Sequence, residues 1–303
     1  MPGTHLPEEL DRHGPPLPGG KVVAVPGRGV VPPETPLLRA DDLGVVRGDG
    51  VFETLHVRAG RPWLLAEHLD RMARSAARMD LDLPGRETLT GLAETACAAW
   101  PPEQEGALRL VCTRGPEPLP GAAGGPVTVF ATLAPIGPAV RAARRDGIAA
   151  VTASLGVTTT ARPATPWLLG GVKALSYAVN MASQRWAAAQ GADDVLWVSA
   201  DGYALEAPTS SLVWLSGATL YTVPAETTGI LPGTTARWLL DHAGALGWRS
   251  AERLVRPAEL LDAEAVWLTS SVRGPVPLRA LDGQELRRNP HVDAVRDLLG
   301  FPA

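Results

Sequence analysis

The chain has 303 residues, a hydrophobic fraction of 45% and a formal net charge of −4 at pH 7. This length favours two packed domains, and the small negative charge argues against nucleic acid as the main partner, because a phosphate backbone attracts an excess of positive charge. The N-terminus has no apolar signal-peptide core and no apolar run reaches the length of a membrane span, so we expect a cytoplasmic protein that acts on a small molecule.

The first half of the chain has the pattern of a small α+β domain over 21–134, preceded by a Pro- and Gly-rich leader over 1–20 that we expect to be flexible. A hairpin is predicted over about 50–65, turning at Ala59-Gly60. Apolar residues at helical spacing predict an amphipathic helix over 66–79. The other elements predicted here are a strand over 21–25, a helix over about 86–99, and strands over 107–115 and 127–134.

The second half begins after a polar segment, 135–147, which we interpret as an irregular linker between domains. A larger domain over 148–303 then begins with a strand over 148–154, followed by a loop and a helix over about 174–190. Strands separated by turns follow as a meander, and a helix is predicted over 234–246. A strand in AVWLTSSVRG and a short C-terminal helix complete the pattern.

Lysine is rare in this chain, because only Lys21 and Lys173 are lysines among the 28 basic residues. Arginine stays protonated in proteins, whereas a buried lysine can lose its proton and attack a carbonyl group. Lys173 follows two glycines in an apolar stretch, LLGGVK, and is therefore a candidate for amine chemistry. Taken alone, a lysine that reaches solvent from an apolar loop is the commoner case.

Three further features could bind an anionic ring cofactor. Glu206 lies among apolar residues and needs a partner, either an arginine or a protonated ring nitrogen. Thr234 and Thr235 precede a predicted helix, where free amides favour an anion, although a simple helix cap is the alternative. Arg71 could reach a phosphate or form an i,i+4 pair with Glu67.

The two cysteines, Cys97 and Cys112, lack metal-ligand spacing and indicate buried thiols, and no metal site is predicted.

The ordered stretches GDGVFETLHV, EHLDRMARSAARM, TRG, GGVKALSYAVNMAS, GADDVLWVSADGYALEAPTSSLVWL, GILPGTTARWLL and LTSSVRG resemble the class IV aminotransferases, which are fold-type-IV pyridoxal-phosphate enzymes. The resemblance covers roughly 45–275. It implies a two-domain fold with a small α+β N-terminal domain, a larger C-terminal domain with a barrel-like sheet, and the cofactor between them. It also implies a homodimer.

The resemblance gives the matched positions roles in binding pyridoxal 5′-phosphate. Lys173 matches the lysine that carries the cofactor as a Schiff base, Glu206 the partner of the ring nitrogen, and Tyr177 a contact of the ring oxygen. These matched positions argue against the alternative of a non-catalytic binding protein. The positions implied for the phosphate are Arg71, Thr234, Thr235 and Ser271. Ser270, a small donor at the same strand end as Ser271, is a further candidate for cofactor binding.

Within the family, ALSYAVNMAS, GADDVLWVSADGYALE and LTSSVRG are most similar to the aminodeoxychorismate lyase branch. That branch converts 4-amino-4-deoxychorismate to 4-aminobenzoate and pyruvate in folate synthesis. The alternative is an aminotransferase acting on branched-chain or D-amino acids, and the AlaProThrSer segment after Glu206 departs from the family pattern and leaves the substrate open. A dicarboxylate substrate requires cations, and some candidates could equally be surface charges. The candidate substrate residues are Arg47, Thr54, Arg114, Arg162 and Arg273.

Overall fold

The computed structural model describes residues 20–118 and 125–302, so the predicted leader lies, apart from Gly20, outside the described residues. Within this part of the chain, residues 22–135 supply a six-stranded antiparallel sheet in the order β2-β1-β6-β5-β3-β4. Its strands are β1 Val22–Val25, β2 Gly29–Val31, β3 Gly50–Arg58, β4 Arg61–Pro62, β5 Gly106–Thr113 and β6 Thr128–Pro135. The helices of this half are α1 Leu43–Val46, α2 Leu65–Arg78 and α3 Arg86–Ala98.

The core of this half lies between the sheet and the helices α2 and α3. The helix α2 buries Leu69 and Met72, which are three residues apart and therefore share one helix face. On the sheet, Leu55 of β3 and Leu108 of β5 are paired across the strands and are fully buried in the same core. Both predicted helices are confirmed within one residue at each end, and the predicted hairpin is present with its turn at Ala59-Gly60, although its second strand ends at Pro62.

The second half is built on a mixed nine-stranded sheet, counted over the described residues. Its main path is β12-β11-β10-β13-β14-β7-β8, with β9 paired to β10 and β15 paired to β14. The strands are β7 Ile148–Ser154, β8 Asp194–Val198, β9 Glu206–Ala207, β10 Ser210–Ser216, β11 Thr219–Thr222, β12 Arg249–Glu252, β13 Ala265–Ser270, β14 Gly274–Leu281 and β15 Gln284–Glu285. The helices are α4 Pro138–Asp146, α5 Ala161–Ala164, α6 Ala178–Ala189, α7 Ala225–Thr228, α8 Thr234–Asp241, α9 Pro257–Leu260 and α10 Val292–Leu299.

The strand β10 is buried on both faces, which explains why SSLVWL is an almost continuous apolar run. Leu212 and Trp214 point to one core cluster, whereas Val213 and Leu215 point to the other. The second cluster is covered by α8 and α10. Since a strand with two covered faces must lie inside the domain, β10 and its neighbour β13 form the centre of the larger sheet.

Two sequence predictions are wrong in detail. The segment 135–147 is not irregular, because α4 runs through it from Pro138, and Pro is favoured in a first helical turn. The predicted helix over about 174–190 begins only at Ala178. The reason is that the backbone of Lys173 and Leu175 hydrogen-bonds to Phe52 and Gly50 at the start of β3, which holds these residues in an extended conformation.

Arg144 of α4 connects the two halves from a fully buried position, with only 1% of the residue exposed. Its Nη1 donates to Glu105, which precedes β5, at 2.8 Å, and its Nε and Nη2 donate to the carbonyl oxygens of Arg273 and Val272 at 3.2 and 2.7 Å. The guanidinium also lies 4.9 Å from the ring centroid of Phe301. One side chain therefore satisfies acceptors from two segments and packs against the ring of a third.

We expect Arg144→Met to lower the free energy of unfolding by about 3–5 kcal/mol, because it removes one partner of a buried ion pair and leaves the two carbonyl groups without donors. Urea unfolding measures the change. The matched control is Arg145→Met on the neighbouring, exposed residue, for which we expect a change within about 0.5 kcal/mol. Equal effects of the two substitutions would contradict the role assigned to Arg144.

Both cysteines are buried free thiols, as predicted. Burial raises the pKa of Cys97 to about 11 and that of Cys112 to about 12, so both stay protonated and unreactive.

Among the residues described, no helix is long and apolar enough to cross a membrane.

Candidate active site

A cavity of about 860 Å³ is lined by residues from both halves of the chain. The small sheet contributes Phe52 and Thr54 from β3 and Arg109 from β5, and α2 contributes Arg71. The larger half contributes the remaining predicted cofactor residues. Those lining the cavity are Lys173, Tyr177, Glu206, Thr234, Thr235, Ser270 and Ser271.

Lys173 enters the cavity from a segment that two glycines allow to turn sharply. Gly171 has a φ of +74°, and a side chain on Gly170 would lie 3.2 Å from the carbonyl oxygen of Gly229. The backbone N–H of Lys173 then donates to Ser75 Oγ of α2 at 3.2 Å. The Gly-Gly pair of LLGGVK therefore serves to bring the loop against its neighbours and to fix the position of the lysine.

The amine of Lys173 is poised to lose its proton near neutral pH. Burial, together with the charge of Arg71, lowers its pKa to about 8, although the carboxylates of Glu53 and Glu206 act in the opposite direction. The Nζ atom lies 3.2 Å from the hydroxyl oxygen of Tyr177 and 4.4 Å from the ring centroid of Phe52. The lysine thus reaches the cavity rather than the outer surface, and its amine can act as a nucleophile.

Glu206 is buried in β9 and has two partners. Its Oε1 accepts a hydrogen bond from Arg162 at 3.2 Å, and its Oε2 accepts one from the backbone N–H of Leu231 at 3.1 Å. Burial raises the pKa of this carboxyl, although both partners favour the charged form. The arginine partner considered from the sequence is therefore present, and the carboxylate also faces the cavity, where it can hold a positively charged ring nitrogen.

Four hydroxyl groups at the start of α8 and the end of β13 form what we call the hydroxyl cluster: Thr234, Thr235, Ser270 and Ser271. The hydroxyl oxygens of Thr234 and Ser271 are 3.4 Å apart. The hydroxyl of Thr235 is buried and has no hydrogen-bond partner among the described residues. A buried donor without a partner costs about 1–3 kcal/mol, so this cluster beside free helix amides fits an anion such as phosphate.

Arg71 is buried, and it does not pair with Glu67 on a solvated face, the alternative considered from the sequence. Its Nε and Nη2 both donate to the carboxylate of Glu53 at 2.7 Å, and its Nη1 donates to the carbonyl oxygen of Pro232 at 3.0 Å. The Nδ1 atom of His68, one turn earlier on α2, also lies 2.7 Å from the carboxylate of Glu53. Glu53 and His68 were not identified from the sequence, although a charged residue inside the apolar strand VFETLHV was a signal.

The predicted substrate residues have different outcomes. Arg47 is exposed and pairs with Glu117, and Arg114 binds Asp49 and two carbonyl groups, so neither lines this cavity. Arg47 precedes β3 and Arg114 follows β5, and the sequence pattern did not reveal in which direction either side chain points. Thr54, Arg162 and Arg273 line the cavity, but each of these arginines already holds a carboxylate, Glu206 for Arg162 and Asp194 for Arg273.

Arg109 of β5 is a cavity cation that sequence reasoning missed. It faces Thr54 across the strand pair, and its guanidinium lies 5.6 Å from the ring centroid of Phe52. In the part of the chain that the structure describes, it has no ion-pair partner. The signal was a lone arginine inside the apolar run ALRLVC. It is therefore available to bind an anionic group of a substrate.

The family of class IV aminotransferases matches residues 50–281, which is most of the chain. The chain belongs to this family. A bifunctional aminodeoxychorismate lyase / D-amino acid transaminase of Mycobacterium tuberculosis is 41% identical over 286 residues, covering 92% of this chain and 97% of the relative. A D-alanine aminotransferase of Bacillus licheniformis is 28% identical, covering 81% of this chain and 83% of the relative.

A solved structure supports both the fold and the cofactor of this class IV enzyme. The PLP-bound form of a hypothetical aminotransferase from Mycobacterium tuberculosis has a TM-score of 0.85 at 41% identity and covers 92% of this chain and 97% of that chain. The predicted α+β fold of type IV is therefore confirmed, and the cofactor is pyridoxal 5′-phosphate. The buried Thr235 hydroxyl, the ionisable Lys173 and the carboxylate of Glu206 fit this cofactor.

Proposed function

We propose that this class IV enzyme is a lyase that converts 4-amino-4-deoxychorismate to 4-aminobenzoate and pyruvate. The observation that carries the proposal is a cavity in which a lysine with a lowered pKa shares the walls with Arg109, a cation free of ion pairs in the described chain. The substrate is a dicarboxylate and requires such a cation. The name of the Mycobacterium tuberculosis relative, which includes aminodeoxychorismate lyase, supports the same reaction.

We assign the cofactor contacts as follows. Lys173 holds the cofactor covalently, and the carboxylate of Glu206 keeps its ring nitrogen protonated. The hydroxyl of Tyr177, 3.2 Å from Lys173 Nζ, contacts the ring oxygen. The phosphate is bound by the hydroxyl cluster, by the amides at the start of α8, and by the two Arg71 N–H groups that Glu53 and Pro232 leave free.

The protein supplies proton transfer to the reaction. When bound, the cofactor withdraws electrons from the substrate carbon that carries the amine. The freed amine of Lys173 removes the proton from that carbon, and the bond between the ring carbon and the enolpyruvyl oxygen breaks. A proton returned to the enolpyruvyl group completes pyruvate, so the atoms of the substrate are divided between the two products. The ring becomes aromatic, which drives the elimination forward.

The proposal is tested by incubating the purified holoenzyme with 4-amino-4-deoxychorismate and following both products. We expect 4-aminobenzoate and pyruvate in equal amounts. If neither product forms, the lyase proposal fails.

A second candidate is transamination of D-amino acids, which the names of both curated relatives favour. The assay uses D-alanine and 2-oxoglutarate, with L-valine as the branched-chain comparison. Glutamate formed from D-alanine but not from L-valine supports this activity. Transamination without any lyase product would make it the main function.

The substitution Arg109→Gln tests the substrate contact. A hydrogen bond to a charged group contributes about 1.5–3 kcal/mol, so we expect the KM for 4-amino-4-deoxychorismate to rise about tenfold to a hundredfold, with a smaller change in kcat. Steady-state kinetics measures both. Arg74→Gln, on an exposed position of α2, is the control and leaves KM within about twofold. An unchanged KM for Arg109→Gln would remove Arg109 from the site.

We also propose that the enzyme is a homodimer, with the partner covering the apolar rim of the cavity. Trp167 and Val179 line the cavity and yet are 80% and 62% exposed, and Trp186 on the same helix as Val179 is 45% exposed. Exposed apolar patches of this kind mark interaction sites. Light scattering after gel filtration should give about twice the chain mass of 31.8 kDa. The mass of a single chain would contradict the proposal.

A further inference from the structure

Behind the hydroxyl cluster lies a buried pair, Glu53 and His68, that does not line the cavity. Both side chains are fully buried. The Nδ1 atom of His68 is 2.7 Å from Glu53 Oε2, and its Nε2 atom is 3.2 Å from the hydroxyl of Thr234 and 3.1 Å from that of Ser271. The imidazole therefore connects a carboxylate with two hydroxyl groups that face the cavity.

The carboxylate of Glu53 determines which nitrogen of His68 carries hydrogen. Burial alone would raise the pKa of Glu53, but Arg71 and His68 hold it well below its ordinary value. An ionised carboxylate only accepts hydrogen bonds, so the hydrogen is on Nδ1 of His68. The variable atom is Nε2, which accepts a hydrogen bond when the ring is neutral and donates one when the ring is charged.

The protonation state of Nε2 determines how many hydroxyl hydrogens remain available for donation to a ligand in the cavity. A neutral ring accepts the hydrogen of either Thr234 or Ser271, and that hydroxyl then has no hydrogen left for a ligand. A charged ring donates from Nε2 to a hydroxyl oxygen, and both hydroxyl hydrogens are free. A phosphate dianion has only acceptor atoms, so it is bound better when the ring is charged.

We propose that His68 takes up a proton when the phosphate dianion of the cofactor binds against Thr234 and Ser271, and that Glu53 and His68 are positioning residues of this site. The inference rests on the proposed assignment of the phosphate to the hydroxyl cluster. The charged groups facing His68 are Glu53 on β3, which favours the charged ring, and Arg71 on α2 and Lys173, which oppose it.

The pH dependence follows from the two states of His68. Burial lowers the pKa of His68 in the protein without cofactor, so the ring is neutral at pH 7 and above. The dianion raises that pKa. Because a proton is taken up on binding, the affinity for the dianion falls as the pH rises from the pKa of His68 without cofactor to its pKa in the complex. Above about pH 7 the phosphate is already a dianion and adds no opposite trend. The dissociation constant should therefore rise about tenfold per pH unit in this window.

The experiment uses pyridoxine 5′-phosphate, which cannot bond covalently to Lys173. Calorimetric titration of the cofactor-free protein at pH 7.5, repeated in buffers of different ionisation enthalpy, counts the protons taken up. His68→Gln is the matched variant, because its amide can donate toward the hydroxyls but does not titrate. Lys173 is present in both proteins, so the difference between them isolates His68. We expect the wild type to take up about one proton more per site than the variant.

The variant His68→Ala tests whether His68 positions the two hydroxyl groups rather than only stabilising the fold. It leaves both hydroxyls without this partner and should weaken binding about tenfold to a hundredfold, whereas His68→Gln restores most of the affinity. Equal proton counts in the wild type and His68→Gln would overturn the inference and leave the phosphate assignment standing. Failure of the wild type to bind pyridoxine 5′-phosphate would overturn the phosphate assignment and the inference together.

A measurement on the wild type alone covers the case in which the variants do not fold. The ¹⁵N shifts of histidine-labelled protein report whether both ring nitrogens of His68 carry hydrogen. We expect the charged ring after pyridoxine 5′-phosphate is added at pH 7.5 and the neutral ring before. A ring that stays neutral in the complex would overturn the inference.

Discussion

Lys173→Ala should lower kcat for 4-amino-4-deoxychorismate by at least about a thousandfold, which corresponds to about 4 kcal/mol in the activation barrier. The substitution removes the amine that holds the cofactor and that transfers the proton in the proposed reaction. Burial has already lowered the pKa of this amine to about 8. No other described lysine lines the cavity, so none can replace it there. Single-turnover and steady-state assays with saturating cofactor measure the loss.

The chain offers an unusually clean control for this experiment, because Lys21 is its only other lysine. Lys21 is exposed next to β1 and does not line the cavity. Lys21→Ala should therefore keep kcat within about twofold. If Lys173→Ala retained more than about a tenth of the activity, the amine would not be the group that performs the proton transfer.

Glu206→Gln should lower kcat about a hundredfold, or about 2.7 kcal/mol in the barrier. The amide keeps an oxygen that can accept from the N–H of Leu231, so the local structure is preserved. It carries no charge, however, and cannot keep a ring nitrogen protonated, so the cofactor withdraws electrons less strongly. The measurement is kcat together with cofactor affinity, and affinity should change much less than kcat.

The control for this substitution is Glu226→Gln, on an exposed glutamate of α7 in the same half of the chain. We expect kcat of this variant to equal that of the wild type within about twofold. A normal kcat for Glu206→Gln would mean that Glu206 serves only as the partner of Arg162, the simpler interpretation that its ion pair permits.

Candidate cofactor residues could be chosen from the sequence because each lies within a short recognisable segment. Lys173 was conspicuous as one of two lysines and as the residue after two glycines, and Thr234 and Thr235 preceded a clear helix pattern. The structure lines one cavity with these residues and with Glu206. What could not be predicted was their convergence, since it depends on how the two sheets face each other.

Residues whose place in the structure depends on the pairing of strands were not identified from the sequence. Glu53 and Arg109 lie on β3 and β5, and only the observed pairing of these strands shows which side chains reach α2 and the cavity. Arg47 and Arg114 were chosen because they flank recognisable motifs, but the structure binds them to Glu117 and Asp49. A motif located a charged residue in the chain without giving the direction of its side chain.

The start of α6 shows a second limit. Helical spacing extended back to Ala174, yet the backbone of the preceding segment pairs with β3, and Lys173 is held in that extended stretch. Such pairing joins residues more than a hundred positions apart in the chain. Local propensity could not indicate it, and the same contact determines where the amine of Lys173 points.

The most direct test of the account is to reduce the holoenzyme with borohydride, which fixes the cofactor on the lysine that holds it, and to map the modified peptide by mass spectrometry. With two lysines in the chain, the result is a choice between Lys21 and Lys173. We expect one cofactor per chain on the peptide that contains Lys173. A label on Lys21, or no label on a protein that has been loaded with pyridoxal 5′-phosphate, would contradict it.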